Sequence, residues 1–289
     1  MILVRLKGGL GNQMFQYAFA KSLQLLHRQK VFLDISELNN GYKRYELHHF
    51  NTTIPIATEN VITYLNNYQR KPIVKIKNKL LPYYLRSYVL EPFYHFDKNL
   101  LKIKQTAIVE GYFQSEKYFK FKPVEETIRS EFTLKQQLSD KSQDLLRQII
   151  QTPNAIGVHI RRGDYVGNPL HPVQEVSYFD KAISKLKLHL SNFHFFIFSN
   201  DIDWCKANWK FPYPTTFVEN VGEANAVEDF SLMMHCKHNI IANSSFSWWA
   251  AWLNPNPNKI VIAPKQWVTS NSIFYRNLND IIPEQWIKI

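Results

Sequence analysis

The chain opens on an apolar run at residues 2–6, broken only by Arg5, which reads as a short buried strand. Gly8-Gly9-Leu10-Gly11 follows. From Asn12 to His27 the apolar positions Met14, Tyr17, Ala18, Leu25 and Leu26 recur near helical spacing. Val31 to Asp34 reads as a second strand, so the opening is strand, glycine-rich turn, helix, strand, as in a βαβ crossover. Residues 40–105 mix Asn, Tyr and Lys with Pro55, Pro72, Pro82 and Pro92, and predict short helices and loops. Residues 109–113 read as a strand, and Ser115 as a helix cap. Residues 136–151 read as a surface helix stopped by Thr152-Pro153-Asn154. That stop sets the expected boundary between two domains, 1–152 and 153–289.

The second half is more regular. Strands are expected at 155–160, 193–198, 239–242 and 259–263, and helices at 178–190, 225–236 and 245–253. Short apolar strands alternating with helices imply an α/β fold, a parallel sheet covered on both faces. Such sheets bind ligands beyond the carboxyl ends of their strands. Three of these strands end there in polar clusters.

Composition narrows the classes. With 289 residues, 45% hydrophobic and 20% charged, the chain is too apolar for disorder and long enough for about two domains. Cys205 and Cys236, with no CxxC, exclude a disulfide scaffold or zinc ribbon. No run reaches the length of a membrane span, and the amino terminus does not read as a signal peptide, so a cytoplasmic protein is expected. The sequons at Asn51 and Asn243 would matter only after secretion. A net charge of +11 favours anionic partners.

Four segments carry candidate chemistry. In His159-Ile160-Arg161-Arg162-Gly163-Asp164-Tyr165, strand alternation puts His159 and Arg161 on one face, and the arginines offer a fork for phosphate oxygens. The plainer reading is an Arg–Asp pair at a strand end. In Asn243-Ser244-Ser245-Phe246-Ser247-Trp248-Trp249, hydroxyls open a helix whose free N–H groups can cradle an anion, or they only cap it. Trp248, Trp249 and Trp252 read as core. The Gly8–Gly11 loop is neither a P-loop nor a dinucleotide fingerprint, because no Gly-Lys-Ser/Thr follows and Met14 stands where the third glycine belongs. Asn12 and Gln13 there can bond a sugar or phosphate. Glu228-Asp229 either holds one carboxylate for a guanine or simply suits a helix start. His235 and His238 alone are a poor metal site.

GGLGNQMFQYAFA, HIRRGDY and NSSFSWWAAWLN, in this order and spacing, resemble the glycosyltransferase family 11 α-1,2-fucosyltransferases of bacterial type. The resemblance spans the chain, apart from residues 40–105, which match no motif. It implies a GT-B-like fold of two Rossmann-type domains whose parallel sheets face a cleft. The first domain would be mainly the acceptor side and the second would bind GDP-fucose. The implied reaction is inverting transfer of fucose to the 2-hydroxyl of a galactoside, with no metal and no cofactor beyond the donor substrate. His159 would lie near guanine and Arg161 on the diphosphate, with Arg162 and Asp164 ordering the site. Asp229 would read guanine, Ser244, Ser245 and Phe246 would form the phosphate turn, and Asn12 with Gln13 would approach from the first domain. Arg161 and Asp164 are the catalytic candidates. The base for the acceptor hydroxyl stays open among Asp164, Glu219 and Glu116.

The expected acceptor is a galactose-terminated oligosaccharide or a lipid-linked glycan, as in surface-glycan biosynthesis. No nucleic-acid partner is expected. The rivals are a transferase using another nucleotide sugar, a basic nucleic-acid-binding protein drawing on residues 71–86, and a non-catalytic sugar binder using Trp and Tyr. The remaining positive charge suits peripheral contact with an anionic inner membrane face.

Overall fold

The computed structural model describes residues 1–39, 43–210, 213–219, 226–269 and 278–289. The chain divides into two compact units, Met1–Lys135 with Asn277–Ile281, and Gln136–Arg276 with Ile282–Ile289.

The first unit runs β1 (Ile2–Arg5), α1 (Leu10–His27), β2 (Val31–Asp34), α2 (Ser36–Asn39), α3 (Glu59–Arg70), α4 (Pro72–Leu80), β3 (Tyr88–Leu90), β4 (Ala107–Glu110) and α5 (Val124–Glu131). Its four strands are all parallel, in the order β2-β1-β4-β3. Leu3 and Ile108 face Leu65 of α3, so the sheet's apolar residues meet a helix there. From Leu10 to Leu23 nearly every residue of α1 is buried, including Tyr17, Phe15 and Phe19. The burial thus extends all round the helix, beyond the one-sided stripe that its apolar spacing predicts, and takes in the polar Gln13, Gln16, Lys21 and Ser22.

The second unit runs α6 (Asp140–Gln151), β5 (Ala155–Ile160), α7 (Val176–Leu186), β6 (His194–Ser199), α8 (Ile202–Asn208), β7 (Thr215–Phe217), α9 (Ala226–His235), β8 (His238–Ile240), α10 (Ser245–Leu253), β9 (Val261–Ala263) and β10 (Ile287–Lys288). The six parallel strands lie in the order β10-β9-β8-β5-β6-β7. Read from the other edge this is the doubly wound order 3-2-1-4-5-6, with β5 as its first strand. The order reverses between β5 and β8, and open sheets of this kind bind ligands beyond the carboxyl ends of such a pair.

Ile156, Val158 and Ile160 point into one core with Phe179, Ala182 and Leu186 of α7. Gly157 and His159 occupy the opposite face. A Cβ at Gly157 would stand 3.0 Å from Cys236 Sγ and 3.1 Å from Asn239 Nδ2, so this glycine lets the end of α9 approach the strand. Trp248, Trp249 and Trp252 are buried, as core residues.

The structure departs from the sequence expectations in several places. The unit division falls after Lys135 rather than at residue 152, because α6 joins the second unit. Its start is bound by Glu228: Ser139 donates from its backbone N–H at 2.8 Å and from its hydroxyl at 2.7 Å. Thr152-Pro153 ends the helix without ending a domain. The strand expected at 109–113 is β4, ending at Glu110, and Phe113 beyond it has a positive φ of 52°. The edge strands β3, β7 and β10 are only two or three residues long and left no readable alternation. Ser115 does cap, but of a single 3₁₀ turn. Asn225, expected to start α9, lies outside the described residues.

Candidate active site

At the end of β5, His159 is 4% exposed, and its ring lies 5.5 Å from that of Phe246 on α10. Phe246 in turn meets Phe230 of α9 edge-on at 5.6 Å. The imidazole Nδ1 is buried and has no hydrogen-bond partner among the described residues. Burial, with the Arg161 charge beside it, pushes the imidazole pKa down to about 3. The ring is therefore neutral at physiological pH.

Beyond Ile160 the chain turns sharply. Gly163 has a φ of +23°, and a Cβ there would collide with the Asn200 side chain. Asn200 also accepts from the Arg162 backbone N–H at 2.9 Å, which ties the turn to the end of β6. The turn sends its two arginines different ways. Arg161 pairs with Asp164 at 2.7 Å and stands 5.5 Å from the centre of the Tyr165 ring. Arg162 stands over Trp204, its Cζ 3.5 Å from the ring centre, and bonds Asp201 at 3.2 Å. Arg162 is thus committed to the framework, and Arg161 keeps guanidinium edges beyond its one carboxylate contact.

Tyr165 joins the two halves of the switch point. Its hydroxyl donates to the Asn243 carbonyl at 3.1 Å, and its ring stacks on His171 at 5.0 Å. The Asn243 side chain donates to the Pro172 and Trp267 carbonyls and accepts from Gln174. Asn243 is accordingly buried, and its sequon is part of the framework. Tyr165 and Gln174 are the site residues that sequence reasoning missed. Tyr165 stood inside a quoted motif, whereas Gln174 carried no signal.

Ser244 occupies the N-cap of α10, yet its side chain makes no capping bond. Within α10 the first backbone N–H bonded back to the cap is that of Trp248, to the Ser244 carbonyl at 3.0 Å. The amides of Ser245, Phe246 and Ser247 precede it, at the positive end of the helix dipole. His159, Arg161 and the α10 start come from adjacent strands, so β5 and β8 bring the two sequence motifs together.

The acidic pair opens α9. Glu228 accepts from Ser139 and Ser142 at the start of α6, which holds its carboxylate below the ordinary range against the effect of burial. Asp229 stands half-buried in the first turn of α9. The two histidines after it are each engaged at Nδ1. His235 Nδ1 bonds the Ser231 carbonyl, and His238 Nδ1 accepts from the Ile260 N–H.

In the first unit, Gly8 has a φ of +79°, and a Cβ there would stand 2.5 Å from Asn12 Nδ2. The Asn12 side-chain Oδ1 accepts from the Gln114 amide at 2.8 Å. Gln13 is fully buried and spends its amide internally. It donates to the Gly8 and Arg44 carbonyls and accepts from the Glu46 N–H. Gln13 is thus a staple of the loop, and Asn12 is the more available of the two. Glu91, which the sequence did not flag, holds the turn after β4 by accepting from the Tyr112 and Phe113 N–H groups. Burial pushes its carboxyl up to about 7 despite those bonds. Among the base candidates, Asp164 is paired with Arg161, Glu116 with Lys120, and exposed Glu219 with Lys206.

The family model described as Glycosyl transferase family 11 matches residues 1–289. The chain is 34% identical to an alpha-1,2-colitosyltransferase of Escherichia coli, covering 100% of this chain and 99% of that one. It is 26% identical to a galactoside 2-alpha-L-fucosyltransferase of Mus musculus, over 88% of this chain and 64% of that one. Among solved structures, the α-1,6-fucosyltransferase NodZ soaked with GDP-fucose superposes with a TM-score of 0.55 at 16% identity, covering 90% and 94%. The fold is α/β and GT-B-like, and the chain belongs to glycosyl transferase family 11.

Proposed function

We propose that this glycosyltransferase moves a 6-deoxyhexosyl group, L-fucose in the first instance, from its GDP-β-linked donor to the 2-hydroxyl of a galactoside, with inversion. The observation that carries this reading is the convergence of neutral His159, Arg161 and the open start of α10 at the strand-order reversal. Departure of GDP puts negative charge on the β-phosphate. Arg161 supplies a fixed cation, and the Ser245–Ser247 amides supply oriented dipoles, in a setting where such groups act strongly. The buried Nδ1 of His159 is a polar edge with no partner among the described residues, the kind of group a nucleotide completes. Asp229, in the first turn of α9, is the carboxylate the reading assigns to guanine, by its match to the family motif. The charge on the leaving group is met by protein groups, so the reading needs no divalent ion.

A second donor is favoured by one comparison, the colitosyltransferase of E. coli. Colitose lacks the 3-hydroxyl that fucose carries. A site built to hydrogen-bond that hydroxyl rejects the deoxy sugar by about 10⁴-fold. GDP-fucose and GDP-colitose should therefore be compared on a panel of galactosides in EDTA, with the product linkage assigned by NMR. Transfer of fucose to O2 is the expected result, and transfer of colitose alone gives the second reading. GDP at a hundred times its Kd should stabilise the protein by about 2.7 kcal/mol without Mg²⁺. Absence of that stabilisation, with UDP or no nucleotide acting instead, would overturn both.

A further inference from the structure

Helix α4, Pro72–Leu80, exposes three aliphatic side chains: Ile73 is 59% exposed, Ile76 56% and Leu80 81%. Their spacing, i, i+3 and i+7, places them along one side of the helix. The other side is fastened to the unit. Val74 is buried, and Asn78 donates to the Ser87 hydroxyl at 2.8 Å while accepting from the Ser87 N–H at 2.9 Å. The helix is held so that its second apolar stripe faces outward. Lys75, Lys77 and Lys79 flank the stripe and are exposed.

The charge around it has one sign. Between Glu59 and Glu91 the sequence holds Arg70, Lys71, Lys75, Lys77, Lys79 and Arg86, and no Asp or Glu. We propose that the outward face of α4 docks on the surface of an anionic lipid bilayer, the three aliphatic side chains entering the acyl boundary and the lysines reaching phosphate headgroups. An aliphatic stripe between snorkelling lysines matches an interfacial helix. Single-stranded nucleic acid fits less well, because bases stack on aromatic rings and the centre of this stripe is isoleucine and leucine. A second copy of the chain would oppose six cations with six more. No helix among the described residues is long and apolar enough to cross a membrane, so the contact lies at the interface. It does not rest on the sugar-transfer reading.

The test is co-sedimentation of the full chain with phosphatidylcholine vesicles, with and without phosphatidylglycerol. Binding is expected only with the anionic lipid and should fall as salt rises. The triple variant Lys75→Gln, Lys77→Gln, Lys79→Gln should bind more weakly by about fivefold per lysine, the factor that 1 kcal/mol of surface attraction gives. The variant Ile73→Ser, Ile76→Ser, Leu80→Ser should also lose binding with an unchanged melting temperature, since these side chains are exposed. Ile76→Cys carrying a polarity-sensitive dye gives a readout independent of affinity, and its emission should shift blue on anionic vesicles. The two native cysteines are buried and should escape labelling. Equal binding to neutral vesicles, full binding by the serine variant, no blue shift, or displacement by an oligonucleotide that itself binds the stripe would each overturn the proposal.

Discussion

An imidazole kept neutral inside a protein leaves a signature in stability. His159 has its pKa lowered from 6.5 to about 3. Between those values the unfolded chain takes up a proton that the folded chain does not, so stability falls as the pH drops through that window. One such group contributes a slope of at most about 1.4 kcal/mol per pH unit. His49, His171, His194 and His238 are pushed in the same direction by burial. Thermal unfolding should show the melting temperature declining below pH 6.5, and His159→Asn should flatten part of that decline. Arg161 should show a different behaviour. Arg161→Ala should cut transfer by about 10²- to 10³-fold, as loss of one group stabilising a leaving charge does. It should also weaken GDP binding, read as a smaller nucleotide-induced shift. Arg161→Lys should recover part of the rate, since a point charge replaces a fork. His159 and Arg161 were both legible in the sequence, because two-residue alternation and a strand end fix where they lie. The resemblance gave Arg161 and Arg162 different roles, but the means of their separation was not legible. It depends on Trp204 and Asp201, far along the chain.

At the scale of elements, α9 fastens the start of α6 through one member of its acidic pair. Glu228 binds the start of α6 through Ser139 and Ser142. Glu228→Ala should therefore cost about 1 kcal/mol of stability, as loss of a capping carboxylate does, while leaving the preference for GDP over UDP intact. Asp229→Ala should instead lose guanine preference in a nucleotide competition assay. The sequence placed both carboxylates at a helix start and could not divide them, because the dividing contact comes from a helix almost ninety residues earlier. The βαβ opening, α10 and the second half's longer strands were legible, since burial on both faces leaves unmistakable apolar runs. The two- and three-residue edge strands were not, being too short to show a period.

The molecule as a whole is interlaced. Residues Asn277–Ile281 belong with the first unit, although Gln136–Arg276 before them and Ile282–Ile289 after them belong with the second. Asp280 is the tie: it accepts from the Phe96 N–H at 2.9 Å and pairs with Lys117. The pairing holds its carboxyl below the ordinary range. Asp280→Ala should lower stability by about 1–2 kcal/mol, since a charged acceptor of a backbone donor is removed, and nucleotide binding should survive in the folded fraction. No local pattern announced this return, and a boundary read from a helix stop could not contain it.

That return governs how members of the family can be recombined. A chimaera joined once, after Lys135, would carry its partner's version of Asp280 into a first unit whose Lys117 and Phe96 came from another parent. Two further junctions around the tie would keep each unit with its own contacts. Exchange of donor preference between relatives should therefore succeed more often with the tie exchanged separately than with the halves simply swapped.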